Sequence, residues 1–185
     1  MKTIATLALS PTAAHLAQAS TILQNGGLVA FPTETVYGLG ADASNDHAVA
    51  KIYQAKGRPK FNPLIVHVAN VQTARRFVQW NTLADQLAKA FWPGPLTLVL
   101  PRKKDAVLSD LLSAGLPTIA IRVPKHPVAK ALLTQFGGAV AAPSANPSGQ
   151  ISPTSPAHVR SGLDGRIDAI GDGAGRTVGL ESTIV

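Results

Sequence analysis

Residues 56–67 read Lys56-Gly57-Arg58-Pro59-Lys60-Phe61-Asn62-Pro63-Leu64-Ile65-Val66-His67, and they join two patterns. Upstream, Val49, Ile52 and Tyr53 recur at helical spacing, which predicts a helix over Asn45 to Lys56 with Asn45 or Asp46 as cap and Gly57 as stop. Downstream, Leu64 to Val68 is a short strand-like run that His67 interrupts. A helix handing over to a strand in this way is the unit of an α/β sheet. Gly57 permits a left-handed backbone and Pro59 and Pro63 restrict the loop, so Lys56 and Arg58 are candidates to face an anion. The same two cations also fit the end of a helix, where the macrodipole favours positive charge.

The alternation continues in both directions. Ser10-Pro11 reads as the N-cap and first residue of a helix running through Leu16, Ile22 and Leu23 to Gly26-Gly27. Leu28 to Phe31 is a buried strand closed by Pro32. Helical stretches are expected from Val71 to Val78 and from Leu83 to Phe91, the latter ended by Trp92-Pro93-Gly94-Pro95. Leu96 to Leu100, Thr118 to Val123, Ala139 to Ala142, Ile167 to Ile170 and Leu180 to Val185 read as strands. Pro127 opens a further helix, with Val128, Ala131 and Leu132 on one face and Gly137-Gly138 at its end. The proline-rich connections argue against a regular doubly wound order and for a mixed sheet with helices packed on it.

At 185 residues a single domain, residues 1–185, is expected, and about 70% of the unfolded chain's surface can be buried. The hydrophobic fraction of 45% and charged fraction of 15% are those of a globular chain. The first residues carry a lysine and an apolar patch, but the patch is too short for a signal peptide, and no apolar run reaches membrane-spanning length; a cytoplasmic protein is expected. The lack of cysteine excludes disulfides, thiolate zinc sites and cysteine nucleophiles. Seventeen Lys and Arg against ten Asp and Glu give +7, which favours anionic partners such as nucleotides or RNA. The one basic run, Arg102-Lys103-Lys104, reads as a solvated loop.

Several standard chemistries are missing. There is no P-loop motif, and Gly38-Leu39-Gly40 lacks the third glycine of a dinucleotide fingerprint. The glycines from Gly171 to Gly175 read as a surface turn. Five dispersed histidines form no zinc motif. His15, His47 and His158 read as surface helix residues, and His126 sits in a turn between prolines. His67, beside the Lys56/Arg58 loop, is either a ligand-binding group or a satisfied core histidine. Ser144-Ala145-Asn146 has no S-x-x-K partner, so Ser144 and Asn146 are hydrogen-bonding groups rather than a nucleophile and its helper. The two glutamates, Glu34 and Glu181, both lie in hydroxyl-rich turns, where each could accept an ammonium, coordinate Mg²⁺ or brace the turn.

Taken in order, PTETVYGL (32–39), KGRPKFNPL (56–64), GPLTLVL (94–100), Thr118 with Arg122 and Pro124, PSANPSG (143–149) and GLEST (179–183) resemble the YrdC/TsaC family of L-threonylcarbamoyladenylate synthases over nearly the whole chain. The resemblance implies a twisted α/β fold whose open, positively charged cavity binds ATP beside L-threonine. It implies a nucleotidyltransferase in which threonine's amine and bicarbonate form a carbamate that attacks the α-phosphate, releasing pyrophosphate, with Mg²⁺ on the phosphates. A separate complex then transfers the group to tRNA. By motif position it assigns Lys56, Arg58, Asn62, Thr118, Ser144 and Ser152 to ATP. Thr35, His67, Arg122, the Ala142 backbone and Ser182 fall to L-threonine, and Lys56, Arg58, Ser144 and Asn146 form the catalytic tetrad. No protein ligand to a metal is implied. GLEST resembles the longer branch of the family, whose linker and second domain cover the cavity, and the stop at Val185 inside an apolar run leads us to expect a truncated sequence that lacks this lid and a further ATP-contacting arginine.

A different class of function, a non-enzymatic domain binding tRNA or double-stranded RNA, is compatible with the charge, because ATP and RNA both present phosphates. The hydroxyl and amide set Thr35, Asn62, Ser144, Ser152 and Ser182 exceeds what backbone binding needs, and an aromatic content of 5% offers no stacking platform.

Overall fold

The computed structural model describes residues 5–59, 61–173 and 179–185. Its elements in chain order are β1 (Leu7–Leu9), α1 (Ala13–Gln24), β2 (Val29–Pro32), β3 (Tyr37–Asp42), α2 (Asp46–Lys56), β4 (Ile65–His67), α3 (Val71–Ala74), α4 (Thr82–Phe91), β5 (Leu96–Pro101), a 3₁₀ turn (Asp110–Leu112), β6 (Thr118–Arg122), α5 (Pro127–Phe136), β7 (Val140–Ala141), α6 (Pro156–Leu163), β8 (Ala169–Gly171) and β9 (Thr183–Ile184). The strands form a nine-stranded sheet in the order β1-β8-β2-β3-β7-β4-β6-β5-β9. It is mixed, as expected: β4 runs parallel to β6, while β3 and β4 are both antiparallel to β7.

Local signals account for most boundaries. The Asn45 side chain caps α2 by accepting from the amides of His47 and Ala48, and Gly57 ends that helix at φ +60°. At this position a side chain would meet left-handed strain, so the glycine stop is a backbone requirement. Gly40 has a different reason: a Cβ there would come within 2.9 Å of the Phe31 ring, so the glycine lets that ring lie against the strand.

Four expectations need correction. Helix α1 starts two residues later than Ser10-Pro11 implies, because the Thr12 hydroxyl caps it through the His15 amide. The stretch Val71 to Val78 is helical only to Ala74; Val78 instead forms a β-bridge with Arg102, which draws the chain out of the helix. The fully buried residues of α5 are Ala129, Leu132 and Leu133 rather than Val128, Ala131 and Leu132. Arg102 is not a free solvated cation: it pairs with Asp110 at 2.6 Å and donates to the carbonyls of Ala106 and Leu108. Strand β1 went unread, and it exists through parallel pairing with β8 near the other end of the chain. Of the glycine turn at 171–175, residues 174 and 175 lie outside the described residues. Among the described residues no helix is long and apolar enough to cross a membrane.

The two faces of the sheet are covered unequally. One carries a core in which Ile52 of α2, Val66 of β4, Leu98 of β5 and Ile121 of β6 pack together. On the other, Leu23 of α1 and Leu132 and Leu133 of α5 cover Phe31, Val29 and Val140. His67 of β4 stands opposite Val140 in the register and so points to this second face. So, by strand alternation, do Ile65 of β4 and Thr118, Ala120 and Arg122 of β6. Ile65, Thr118 and Ala120 are only half-buried, and Val99, opposite Ala120, is 40% exposed. The site described next occupies this thinly covered part of the second face.

Candidate active site

At the ends of β4 and β6 lies a small, half-open cavity. Thr35, His67, Arg122, Ala142 and Ser182 all line it, together with Thr33, Ser144 and Glu181. The five residues assigned to one ligand from the sequence thus come together from five separate segments. Arg122 is fixed on three sides. Its Nε donates to Gly94 O at 3.1 Å, its Nη1 to Thr35 Oγ1 at 3.0 Å, and its Nη2 to the Glu34 carboxylate. Both members of the ion pair are about 5% exposed or less. A guanidinium has five N–H groups, so two remain for a ligand. Glu34 Oε2 accepts from the amides of Lys125 and His126, which ties the carboxylate to the start of α5. Of the roles open to Glu34 in the sequence, the structure therefore shows the acceptor role, with Arg122 as the main donor.

His67 does not interrupt β4 but belongs to it. Its ring meets Phe31 edge-on with centroids 6.2 Å apart, and its buried Nδ1 makes no hydrogen bond of full geometry, although the ring has a weaker interaction with the Ile65 backbone. Burial, and secondarily the nearby Arg122 charge, push its pKa down to about 3, so the imidazole is neutral at physiological pH. Ser182 reaches the cavity because its hydroxyl pairs with Thr97 at 2.8 Å, and β9, which starts at the next residue, adds to β5.

Lys56 is buried at the end of α2, and its Nζ donates to the backbone carbonyls of Ser144 and Asn146. One of its three N–H groups remains for another acceptor. Burial first, then repulsion from Arg58, lowers its pKa to about 8, against an opposing pull from Glu181. The lysine thus clamps the Ser144–Asn146 loop and carries a cation to it. Asn146 braces the same loop from within, its Nδ2 donating to Pro147 O and Gln150 O, and its buried Oδ1 has no partner.

Arg58 turns towards its own loop, donating to Asn62 O and Pro63 O. Asn62 and Thr118 are half-buried near the starts of β4 and β6, and Ser152 donates to Glu181. The residues assigned to the nucleotide are accordingly spread along the open face and its rim; of them, only Ser144 lines the cavity. Thr33 and Thr97 were not identified from the sequence. Their signal was weak, since a threonine that hydrogen-bonds another site residue looks like any β-branched strand residue. Among the described residues, no group of three or more His, Asp or Glu side chains is placed to hold a metal.

A family model described as "Telomere recombination" (Sua5_yciO_yrdC) matches residues 21–185. The chain is 53% identical over 178 residues to the threonylcarbamoyl-AMP synthase of Bacillus subtilis (strain 168), covering 96% of this chain and 51% of that protein. It is 48% identical over 168 residues to the protein of that name from Pyrococcus abyssi (strain GE5 / Orsay), covering 90% and 49%. The chain therefore spans about half the length of these relatives. A crystal structure of P. abyssi Sua5 complexed with L-threonine matches with a TM-score of 0.91 at 44% identity, over 96% of this chain and 53% of that one. The expected fold, a twisted mixed sheet flanked by helices, is shared with that structure.

Proposed function

The chain belongs to the Sua5/YciO/YrdC family, and we propose that residues 1–185 form a catalytic domain that condenses L-threonine, bicarbonate and ATP into threonylcarbamoyl-AMP and pyrophosphate. One observation carries this reading: the buried Arg122 guanidinium, with three of its five N–H groups committed, and His67 line one small pocket with Thr35 and Ser182, next to a loop clamped by Lys56. The guanidinium suits an amino-acid carboxylate, which it can grip through two parallel hydrogen bonds. The neutral imidazole supplies a further polar contact without adding charge.

In the proposed reaction threonine's amine adds to bicarbonate with loss of water. A carbamate oxygen then attacks the α-phosphorus, and the bond to the β-phosphate oxygen breaks. Bringing two anions together requires charge neutralisation and alignment more than a protein nucleophile. Lys56 and Arg58 would neutralise the phosphates, while Asn62, Thr118, Ser144 and Ser152 would hold the nucleotide along the open face. Asn146 would keep the Ser144 loop in register. Mg²⁺ would arrive on the triphosphate; the described residues offer it no cluster of their own. The product would serve a separate complex that modifies tRNA in the cytoplasm. The alternative of a non-enzymatic RNA-binding domain is not favoured, since the relatives are named as synthases.

Incubation of the chain with ATP, L-threonine, bicarbonate and Mg²⁺ should release pyrophosphate, and omission of threonine should abolish the release. Release that is indifferent to threonine would assign the site to another adenylating reaction. The pH profile gives an independent check. Lys56 is charged below about pH 8 and neutral above it, so kcat/KM should fall as pH rises through about 8. Lys56→Arg, whose charge does not titrate there, should lack this alkaline fall even if its rate is lower; a fall that persists in the variant would remove Lys56 as its origin.

A further inference from the structure

The proton positions in one wall of the cavity follow from counting donors. The Thr33 hydroxyl donates to Val36 O at 2.6 Å, which commits its single proton. In the 2.9 Å contact between the Thr33 and Thr35 hydroxyls, Thr35 must then be the donor. Thr33 Oγ1 also accepts from the Thr35 amide at 3.2 Å, so its capacity is full. Arg122 Nη1 meanwhile donates to Thr35 Oγ1. The result is a one-way relay, from guanidinium to Thr35 to Thr33 to the Val36 carbonyl. Thr35 Oγ1 is left with one lone pair and no proton to offer. Thr33, Thr35 and Arg122 are 3%, 1% and 3% exposed, so water cannot readily reverse the chain, and all three line the cavity.

We propose that Thr33 is a positioning residue that determines specificity: by holding the Thr35 proton, it makes Thr35 an obligate acceptor beside the Arg122 donors. The cavity then demands a ligand with a hydrogen-bond donor close to its carboxylate, as an α-amino acid has in its ammonium. A 2-oxo acid of the same shape would set its carbonyl lone pairs against those of Thr35. Buried polar groups left unpaired are the strongest means of rejection available to a site of this kind. With Thr33 replaced by valine, the Thr35 proton is released to turn into the cavity, and the penalty on the oxo acid disappears. The inference rests on the reading of this cavity as an amino-acid site.

The test is calorimetric titration of the wild-type chain and of Thr33→Val and Thr33→Ser with L-threonine, L-2-aminobutyrate and 2-oxobutyrate. The last two differ only in the group that faces the relay. Thr33→Val should lower the preference for L-2-aminobutyrate over 2-oxobutyrate by at least about tenfold, while Thr33→Ser, which keeps the hydroxyl, should hold it within about threefold of wild type. A preference unchanged in Thr33→Val, including a proportional loss of both ligands, would overturn the inference, as would equal loss in Thr33→Ser. If circular dichroism shows Thr33→Val to be unfolded, Thr33→Ala carries the same comparison. A wild-type chain that does not bind L-threonine overturns the amino-acid reading and this inference with it; normal wild-type binding with an unaltered preference in the variant overturns the inference alone.

Discussion

Arg122→Met should destabilise the chain by about 3–5 kcal/mol, the usual consequence of removing one partner of a buried ion pair, and should abolish measurable L-threonine binding. The stability loss comes from Glu34, whose carboxylate would stay buried with only the Lys125 and His126 amides as donors. Two effects are separable in a double variant. Arg122→Met with Glu34→Gln removes the stranded charge, so most of the stability lost in urea denaturation should return, whereas threonine binding should not. Retention of wild-type threonine affinity in Arg122→Met would disconnect the guanidinium from the ligand. Failure of the double variant to regain stability would show that Glu34 is not the source of the loss.

Lys56→Met should reduce threonine-dependent pyrophosphate release by at least about 2 kcal/mol in transition-state terms, roughly thirtyfold. The substitution preserves the length of the buried stem but removes both donors to the Ser144 and Asn146 carbonyls as well as the charge. Lys56→Arg distinguishes the two contributions. A guanidinium keeps the charge but cannot reproduce the compact ammonium clamp, so a partial loss is expected from the displaced loop. Measurement of kcat and KM for ATP in both variants checks this, and wild-type values in Lys56→Met would exclude the lysine from the mechanism.

Much of the architecture was legible because its signals are local. Asn45 and Gly57 bracket α2 through side-chain and backbone rules that act within one turn, and Pro127 and Gly137 do the same for α5. Where the reading failed, a distant partner had won. The short α3 yields to the bridge between Val78 and Arg102, and β1 is a strand only because β8 lies beside it. The buried face of α5 is set by α1, more than a hundred residues earlier, and local periodicity carries no record of that choice.

The site divides along the same line. The order of the polar segments, resembling one family, named Thr35, His67, Arg122, Ala142 and Ser182 as a set, and in the fold all five line one cavity. What the residues do to one another was not legible. That Arg122 is neutralised by Glu34, that Lys56 holds carbonyls about ninety residues away, and that Thr33 fixes a proton on Thr35 all depend on contacts between segments. Chain-local chemistry, meaning caps, stops, strand alternation and an ordered series of motifs, is written in the sequence because it acts over a few bonds. Charge compensation and hydrogen-bond direction are decided only in the folded chain, because they depend on which groups share a buried space and how many protons and lone pairs each has left.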